Sequence, residues 1–201
     1  MTSLKYRAFD VPAYYHVYNR GAGKRKIFLD AADKRKFLAL LARYLDPELD
    51  EVRGDGVTYT KSPVCLIAYC LMGNHFHLML YQEDNVEDVR QLVNSVSIAY
   101  SMYFNKRYKQ SGRLFEGPFR ATPITGEAQF AHITRYIHLN PRSYKTYRWS
   151  SLSEFTGKRS TPWVHPERVM SMPPKEYMDF LAEYEDRRHE LKLIAKSLNI
   201  L

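Results

Sequence analysis

The organisation of the chain turns on residues 64–81, VCLIAYCLMGNHFHLMLY. Val64 to Met72 is nearly all apolar, which suits a strand covered on both faces and placed in the centre of a sheet. Gly73-Asn74 reads as a tight turn. In the following segment, period-two alternation puts Phe76, Leu78 and Leu80 on one face and His75, His77, Met79 and Tyr81 on the other. A one-residue slip would bury the polar set, so the apolar face fixes the register and projects the two histidines side by side.

The flanking segments supply the other elements. Tyr14 to Tyr18 (YYHVY) is aromatic and β-branched and ends at the turn signal Asn19-Arg20-Gly21, which predicts a first strand. Phe37, Leu38, Leu41 and Leu45 recur at helical spacing, predicting a helix over 31–45 with Pro47 beyond its end. Residues 46–63 are acidic and read as a loop with a short strand at Val57 to Thr60. Val86, Val89, Leu92, Val93, Val96 and Tyr100 mark a helix running to about Tyr108. Gly112 and Gly117-Pro118 punctuate a loop before a strand over 119–124, after which Thr125 is positioned to cap a helix through about Leu139. A Trp149-Ser150-Ser151 segment, a Pro-rich connector and one charged helix over 175–198 complete the chain.

The composition is that of an ordinary globular protein, with 45% hydrophobic and 26% charged residues in 201, and length alone favours one domain with an appendage. No apolar run approaches the roughly 18 residues that span a bilayer, and the first 18 residues lack a signal-peptide core, so a cytoplasmic protein with no membrane partner is expected. Cys65 and Cys70 lie in one strand whose alternation points them to opposite faces, which indicates neither a disulfide nor a metal knuckle. The formal charge of +8 is unevenly spread. Basic residues exceed acidic ones by six over 19–45 and by seven over 106–148, whereas 46–95 carries an acidic excess of six. Lysines and arginines interleaved with aromatics, as in Lys106, Arg107, Tyr108 and Arg113, Phe115, Arg120, can pair phosphates while rings stack on unpaired bases. Solvated basic faces give the same pattern without any nucleic acid.

Two clusters carry chemistry. Imidazoles at i and i+2 of one strand face can both ligate a divalent ion, and they can equally form a hydrogen-bonded polar patch. Tyr136 and Asn140, four residues apart near the end of the last amphipathic helix, would lie one above the other. A tyrosine hydroxyl attacks only when its proton is removed and its electrophile is activated. The plain alternative is a tyrosine at a core edge followed by an asparagine helix cap.

Taken together, YHVYNRG (15–21), CLMGNHFHLML (70–80), RLFEGPFRA (113–121), YIHLNP (136–141) and WSS (149–151) resemble the single-tyrosine HUH transposases, in particular the REP-associated tyrosine transposases and their insertion-sequence relatives. The resemblance covers about residues 12–155. It implies a ferredoxin-like α/β (α+β) fold, an antiparallel sheet with helices packed on it, over a catalytic domain at 1–158 followed by a C-terminal helical extension at 159–201. It further implies that His75, His77 and Asn140 hold a divalent metal, Mg²⁺ or Mn²⁺, and that Tyr136 is the nucleophile. Departures are Glu116, where relatives usually have glutamine, and Pro118, where a basic or polar residue is common.

The resemblance thus implies a metal-dependent single-strand DNA endonuclease and strand transferase that forms a 5′-phosphotyrosine at hairpin, REP-like DNA ends. Arg20, Lys106, Arg107, Arg113, Arg120 and Arg135 are expected to contact phosphates, and Tyr103, Tyr108 and Phe115 to stack on bases. Relatives work as monomers or homodimers, and a nucleoid-associated cytoplasmic location follows. Two other classes fit the same residues: a catalytically silent DNA- or RNA-hairpin-binding regulator, and a metal-dependent hydrolase that activates water.

Overall fold

The structure, a computed structural model, describes residues 9–170 and 172–197. In chain order the elements are β1 (Ala13–Arg20), α1 (Ala31–Leu45), β2 (Cys65–Leu71), β3 (His75–Gln82), α2 (Asp88–Tyr108), β4 (Arg120–Ile124), α3 (Glu127–His138), α4 (Leu152–Phe155), α5 (Pro174–Ala182) and α6 (Arg188–Ser197). The first six form a β-α-β-β-α-β unit with strand order β2-β3-β1-β4. Every pairing is antiparallel, which makes the sheet ferredoxin-like. Among the described residues no helix is long and apolar enough to cross a membrane.

The sheet separates two cores. On one face, Phe37, Leu40 and Leu41 of α1 and Val89, Leu92, Val96, Tyr100 and Phe104 of α2 pack against Tyr15, Val17, Phe76, Leu78 and Leu80. On the other, Ile133 and Ile137 of α3 meet Met79, Tyr81 and Ile124, and Tyr177, Leu181 and Leu191 of the last two helices pack behind them. The alternation in β3 is therefore realised as expected, with the histidines on the α3 side. α1 begins where the Asp30 side chain accepts from the Asp33 backbone N–H at 3.0 Å, a capping bond that satisfies one of the four orphan donors of a helix start.

Five local expectations are corrected. β2 lies at the edge of the sheet and not at its centre. Its apolar composition follows from a covered edge: Leu71 N–H donates to Trp149 O at 2.9 Å, Ser151 N–H to Tyr69 O at 3.0 Å and His165 N–H to Leu66 O at 2.8 Å, so later chain occupies the positions a further strand would take. Cys65 and Cys70 share one core, because a register shift between Leu66 and Ala68 resets the alternation between them; both are free thiols. Thr125 does not cap α3; Gly126 holds that position, and the Thr125 N–H donates to the Gln129 side chain at 2.8 Å. The single terminal helix is two, separated after Ala182. Leu181 and Leu191 are ten residues apart, about 80° off register on one continuous helix, and the break lets both face α3. The expected end of that helix at Leu198 lies outside the described residues, and the strand expected at 57–60 reduces to a single bridge between Val52 and Thr58.

Candidate active site

β1 and β3 are paired with Tyr18 opposite His77 and Arg20 opposite His75. Directly opposed residues of an antiparallel pair share a face, so Arg20, Tyr18 and His16 join the two histidines on the α3 side. Gly21 ends β1 where space is shortest: a Cβ there would stand 2.2 Å from Arg25 O. Its N–H donates to Asn74 O at 2.9 Å, which ties the end of β1 to the β2–β3 turn and keeps Arg20 at the rim of the site. α3 crosses this face, and a cleft of about 630 Å³ opens between them, lined by Tyr18, Arg20, His75, His77, Glu116, Arg120, Tyr136 and Asn140.

The two imidazoles are held differently. His77 is 3% exposed, and its Nδ1 lies 2.9 Å from His16 Nε2. Burial, then the neighbouring His16 and His75, hold its pKa well below the ordinary histidine value, so it stays neutral, the ligating form, and presents Nε2 to a ligand. His75 Nδ1 lies 2.7 Å from Asn74 Oδ1 and its Nε2 lies 3.1 Å from Asn140 Oδ1. Asn140 sits two residues past α3, and its Nδ2 donates back to Tyr136 O at 3.4 Å, which turns the amide oxygen toward His75. When His75 Nδ1 donates to Asn74, Nε2 and the Asn140 oxygen aim lone pairs at one another, an arrangement that a shared cation resolves. Two imidazoles and an amide oxygen on one wall of a polar cleft are a donor set that fits a divalent ion. Among the described residues no group of three or more His, Cys, Asp or Glu is placed to hold a metal; a third donor beside the two imidazoles would have to be the Asn140 amide oxygen.

The Tyr136 ring stands nearly perpendicular to that of His77, with centroids 5.3 Å apart, and is 6.0 Å from that of His16. Burial raises its pKa, and a side-chain hydrogen bond from Asn140 partly offsets the rise. The phenol is therefore protonated at neutral pH and needs nearby positive charge to become a nucleophile. Cationic side chains at the cleft are Arg20 and Arg120, the latter 5.9 Å from the centroid of the Tyr18 ring. Arg20 makes a two-bond pair with Glu116, 3.0 Å each.

The remaining expected DNA contacts divide. Lys106 and Arg113 are exposed but do not line the cleft. Arg107 is engaged elsewhere, with Asp30 and Asp33 both at 2.6 Å, and Tyr103 and Tyr108 donate to the same Asp33 carboxylate at 3.2 and 2.9 Å. That carboxylate is fully buried, so these groups neutralise it and hold α1 to α2; they are structural. Phe115 is 7% exposed and belongs to the core beneath α2, out of reach of a base. Arg135 is 3% exposed. Its guanidinium lies 3.3 Å from the Phe180 ring centroid and 4.3 Å from that of Tyr184 and pairs with Glu183 at 2.9 Å, so it fastens α3 to the C-terminal helices and does not meet phosphate. Conversely, His16 carries no mark in a strand that reads as aromatic. Its place on the histidine face follows only from the β1–β3 register.

The family model described as "Transposase IS200 like" matches residues 56–140, from just before β2 to the last of the three donor residues. That segment, a little under half of the chain, resembles IS200-like transposase sequence. A search of curated proteins returns no match. A solved structure of a REP-associated tyrosine transposase bound to a REP hairpin shares the fold at a TM-score of 0.60 and 10% identity, covering 87% of this chain and 93% of that one. A crystal structure of a candidate transposase from Deinococcus radiodurans R1 is 15% identical over 68% of this chain and 95% of that one, with a TM-score of 0.41. Within the IS200-like segment lie His75, His77, Glu116, Arg120, Tyr136 and Asn140; Arg20, His16 and Tyr18 come to the same cleft from β1, before the segment begins.

Proposed function

We propose that the chain is a single-tyrosine transposase that cuts and rejoins single-stranded DNA with hairpin ends. The observation that carries this reading is the meeting of Tyr136 with His75, His77 and Asn140 in one cleft. Tyr136 and Asn140 come from α3 and the residues just past it, whereas His75 and His77 come from β3, and a core-edge tyrosine would have no reason to face the two histidines.

His75, His77 and Asn140 would hold Mg²⁺ or Mn²⁺. Bound there, such an ion supplies Lewis-acid polarisation of the scissile phosphate. Arg20 and Arg120 flank the cleft as phosphate contacts, and the ring of Tyr18 offers a surface for an unpaired base. The Tyr136 oxygen attacks phosphorus in line as its phenol proton departs. A Tyr136 O–P bond forms, the P–O3′ bond breaks, and the leaving 3′ oxygen takes up a proton. The 5′ end stays on the protein and the 3′-hydroxyl is free. Because the phosphodiester is replaced by an ester of similar energy, a second 3′-hydroxyl reverses the step and joins strands without ATP. The packing of α3 on its own sheet and its own α5 and α6 supports a reading in which the nucleophile comes from the same chain that holds the histidines.

The test is incubation with single-stranded hairpin DNA and Mn²⁺, read on a denaturing gel. A protein–DNA adduct that vanishes in Tyr136→Phe supports the proposal. Cleavage without adduct indicates a hydrolase, and binding alone indicates a hairpin-binding regulator.

A further inference from the structure

The last turn of a helix leaves carbonyls without intrahelical partners. Just past the end of α3 the carbonyls of Leu139, Pro141 and Arg142, on either side of the donor residue Asn140, likewise lie outside the helical ladder, and they are met by a side chain 48 positions beyond Asn140. Arg188 Nη1 donates to Leu139 O at 3.2 Å and to Pro141 O at 2.9 Å, the two carbonyls that flank Asn140, and Nη2 donates to Arg142 O at 3.0 Å. Its Nε donates to Glu185 O at 3.0 Å, which fixes the fork to the start of its own helix. Glu185 in turn pairs with Lys145 at 2.9 Å and accepts from Tyr144 OH at 3.2 Å, so the platform that carries the guanidinium is tied to the turn that directly follows the clamped carbonyls.

We infer that Arg188 is a positioning residue for the metal site: by gripping the backbone on both sides of Asn140 it sets the carboxamide against His75. This inference rests on the reading of His75, His77 and Asn140 as a divalent-ion site. Asn140 lies beyond the last helical residue; the Leu139 and Asn140 N–H groups still donate to Arg135 O at 2.8 Å and Ile137 O at 3.4 Å, but Pro141 cannot donate a backbone hydrogen bond, so the helical ladder stops at Asn140 and does not hold the chain that follows it. A planar fork with several donors spans three carbonyls at once, and a lysine ammonium on a flexible stem does not reproduce that span. Outer partners of this kind orient a ligand without touching the ion. Arg188 lies outside the IS200-like segment, so the C-terminal extension contributes to the site although it holds no donor.

The experiment titrates Mn²⁺ alone into the full chain, by calorimetry and by electron paramagnetic resonance of the free ion, with thermal unfolding measured in parallel. Arg188→Ala is expected to weaken Mn²⁺ binding by about 10- to 100-fold, approaching Asn140→Ala, and added methylguanidinium is expected to restore part of the loss. Arg188→Lys, which keeps the charge, should remain folded and weakened. Arg135→Ala, which loosens the same helices away from Asn140, should lower the melting temperature and leave Mn²⁺ binding unchanged. Wild-type affinity in both Arg188 variants would overturn the inference, as would an equal loss in Arg135→Ala, since the effect would then be general loosening. Failure of the wild-type protein itself to bind Mn²⁺ would overturn the metal reading on which the inference rests.

Discussion

His16 Nε2 lies 2.9 Å from His77 Nδ1, and the two rings are stacked with centroids 5.0 Å apart. Both are buried, so one ring must donate and the other accept, and the pair couples the tautomer that His77 presents to the cleft to that of His16. His16→Phe keeps a ring in place but leaves the His77 nitrogen without its partner. The expected cost is about 2 kcal/mol for a buried unsatisfied group, roughly 4–8 °C in Tm for a chain of this size. Mn²⁺ affinity should fall by about tenfold or more. Unchanged Tm and unchanged Mn²⁺ binding would remove His16 from the site.

The Arg20–Glu116 pair lines the cleft through which, on the proposed reading, phosphate approaches, with side chains 44% and 33% exposed. Arg20 holds the Glu116 carboxyl below the usual carboxylate range, so Glu116 is charged at neutral pH and competes with phosphate for the same guanidinium. Glu116→Gln should bind single-stranded DNA about two- to fivefold more tightly at low salt, a gain typical of releasing an exposed pair. Arg20→Gln should reduce the slope of log affinity against log salt by about 0.7. Fluorescence anisotropy across a salt series measures both, and a weaker Glu116→Gln complex would mean that Glu116 aims Arg20 and does not mask it.

Arg135 gives the opposite expectation. Its guanidinium is enclosed by Phe180, Tyr184 and Glu183, so Arg135→Gln should lower stability by about 2 kcal/mol through lost stacking and a poorly paired buried polar group. The salt slope of DNA binding should equal that of the wild type. A shallower slope would return Arg135 to the phosphate contacts.

His138 supplies a pH dependence that does not involve the cleft. It is fully buried between Tyr177 OH at 2.6 Å and Ser151 Oγ at 2.8 Å, and burial lowers its pKa to about 3. Above the ordinary histidine value of about 6.5 both folded and unfolded states carry a neutral ring, so the stabilisation is fully present there. As pH falls from about 6.5 toward 3 the unfolded chain takes up a proton that the folded chain refuses, and stability declines by up to about 1.4 kcal/mol per pH unit. His138→Gln should flatten that acid limb in urea unfolding measured across pH. An acid limb of unchanged steepness would show that His138 is protonated in the folded state.

Much of this was legible in the sequence for a simple reason: period-two alternation around His75 and His77 is a local property, and one apolar face was enough to fix where both imidazoles point. The same holds for α1, whose extent follows from Phe37, Leu38, Leu41 and Leu45 at helical spacing and from Pro47 beyond its end. What escaped depends on pairing across long separations. The run Lys106-Arg107-Tyr108 looks like a phosphate-binding stripe until Asp33, 74 residues away from Arg107, is seen to claim it, and Arg135 is claimed by Glu183 in the same way. β2 looked central because a strand covered at its edge by Trp149 and Ser151 has the same apolar composition as one flanked by strands. His16 and Arg188 act through a strand register and a helix–turn contact that no local pattern encodes.

The most direct test of the central claim is mass spectrometry of the protein after reaction with a single-stranded hairpin oligonucleotide and Mn²⁺, followed by nuclease trimming and proteolysis. The account predicts that the peptide containing Tyr136 gains the mass of a 5′-linked nucleotide, and that Tyr136→Phe yields no such peptide while still binding the hairpin. A nucleotide carried on a different tyrosine, or cleaved DNA with every tyrosine unmodified, would contradict it.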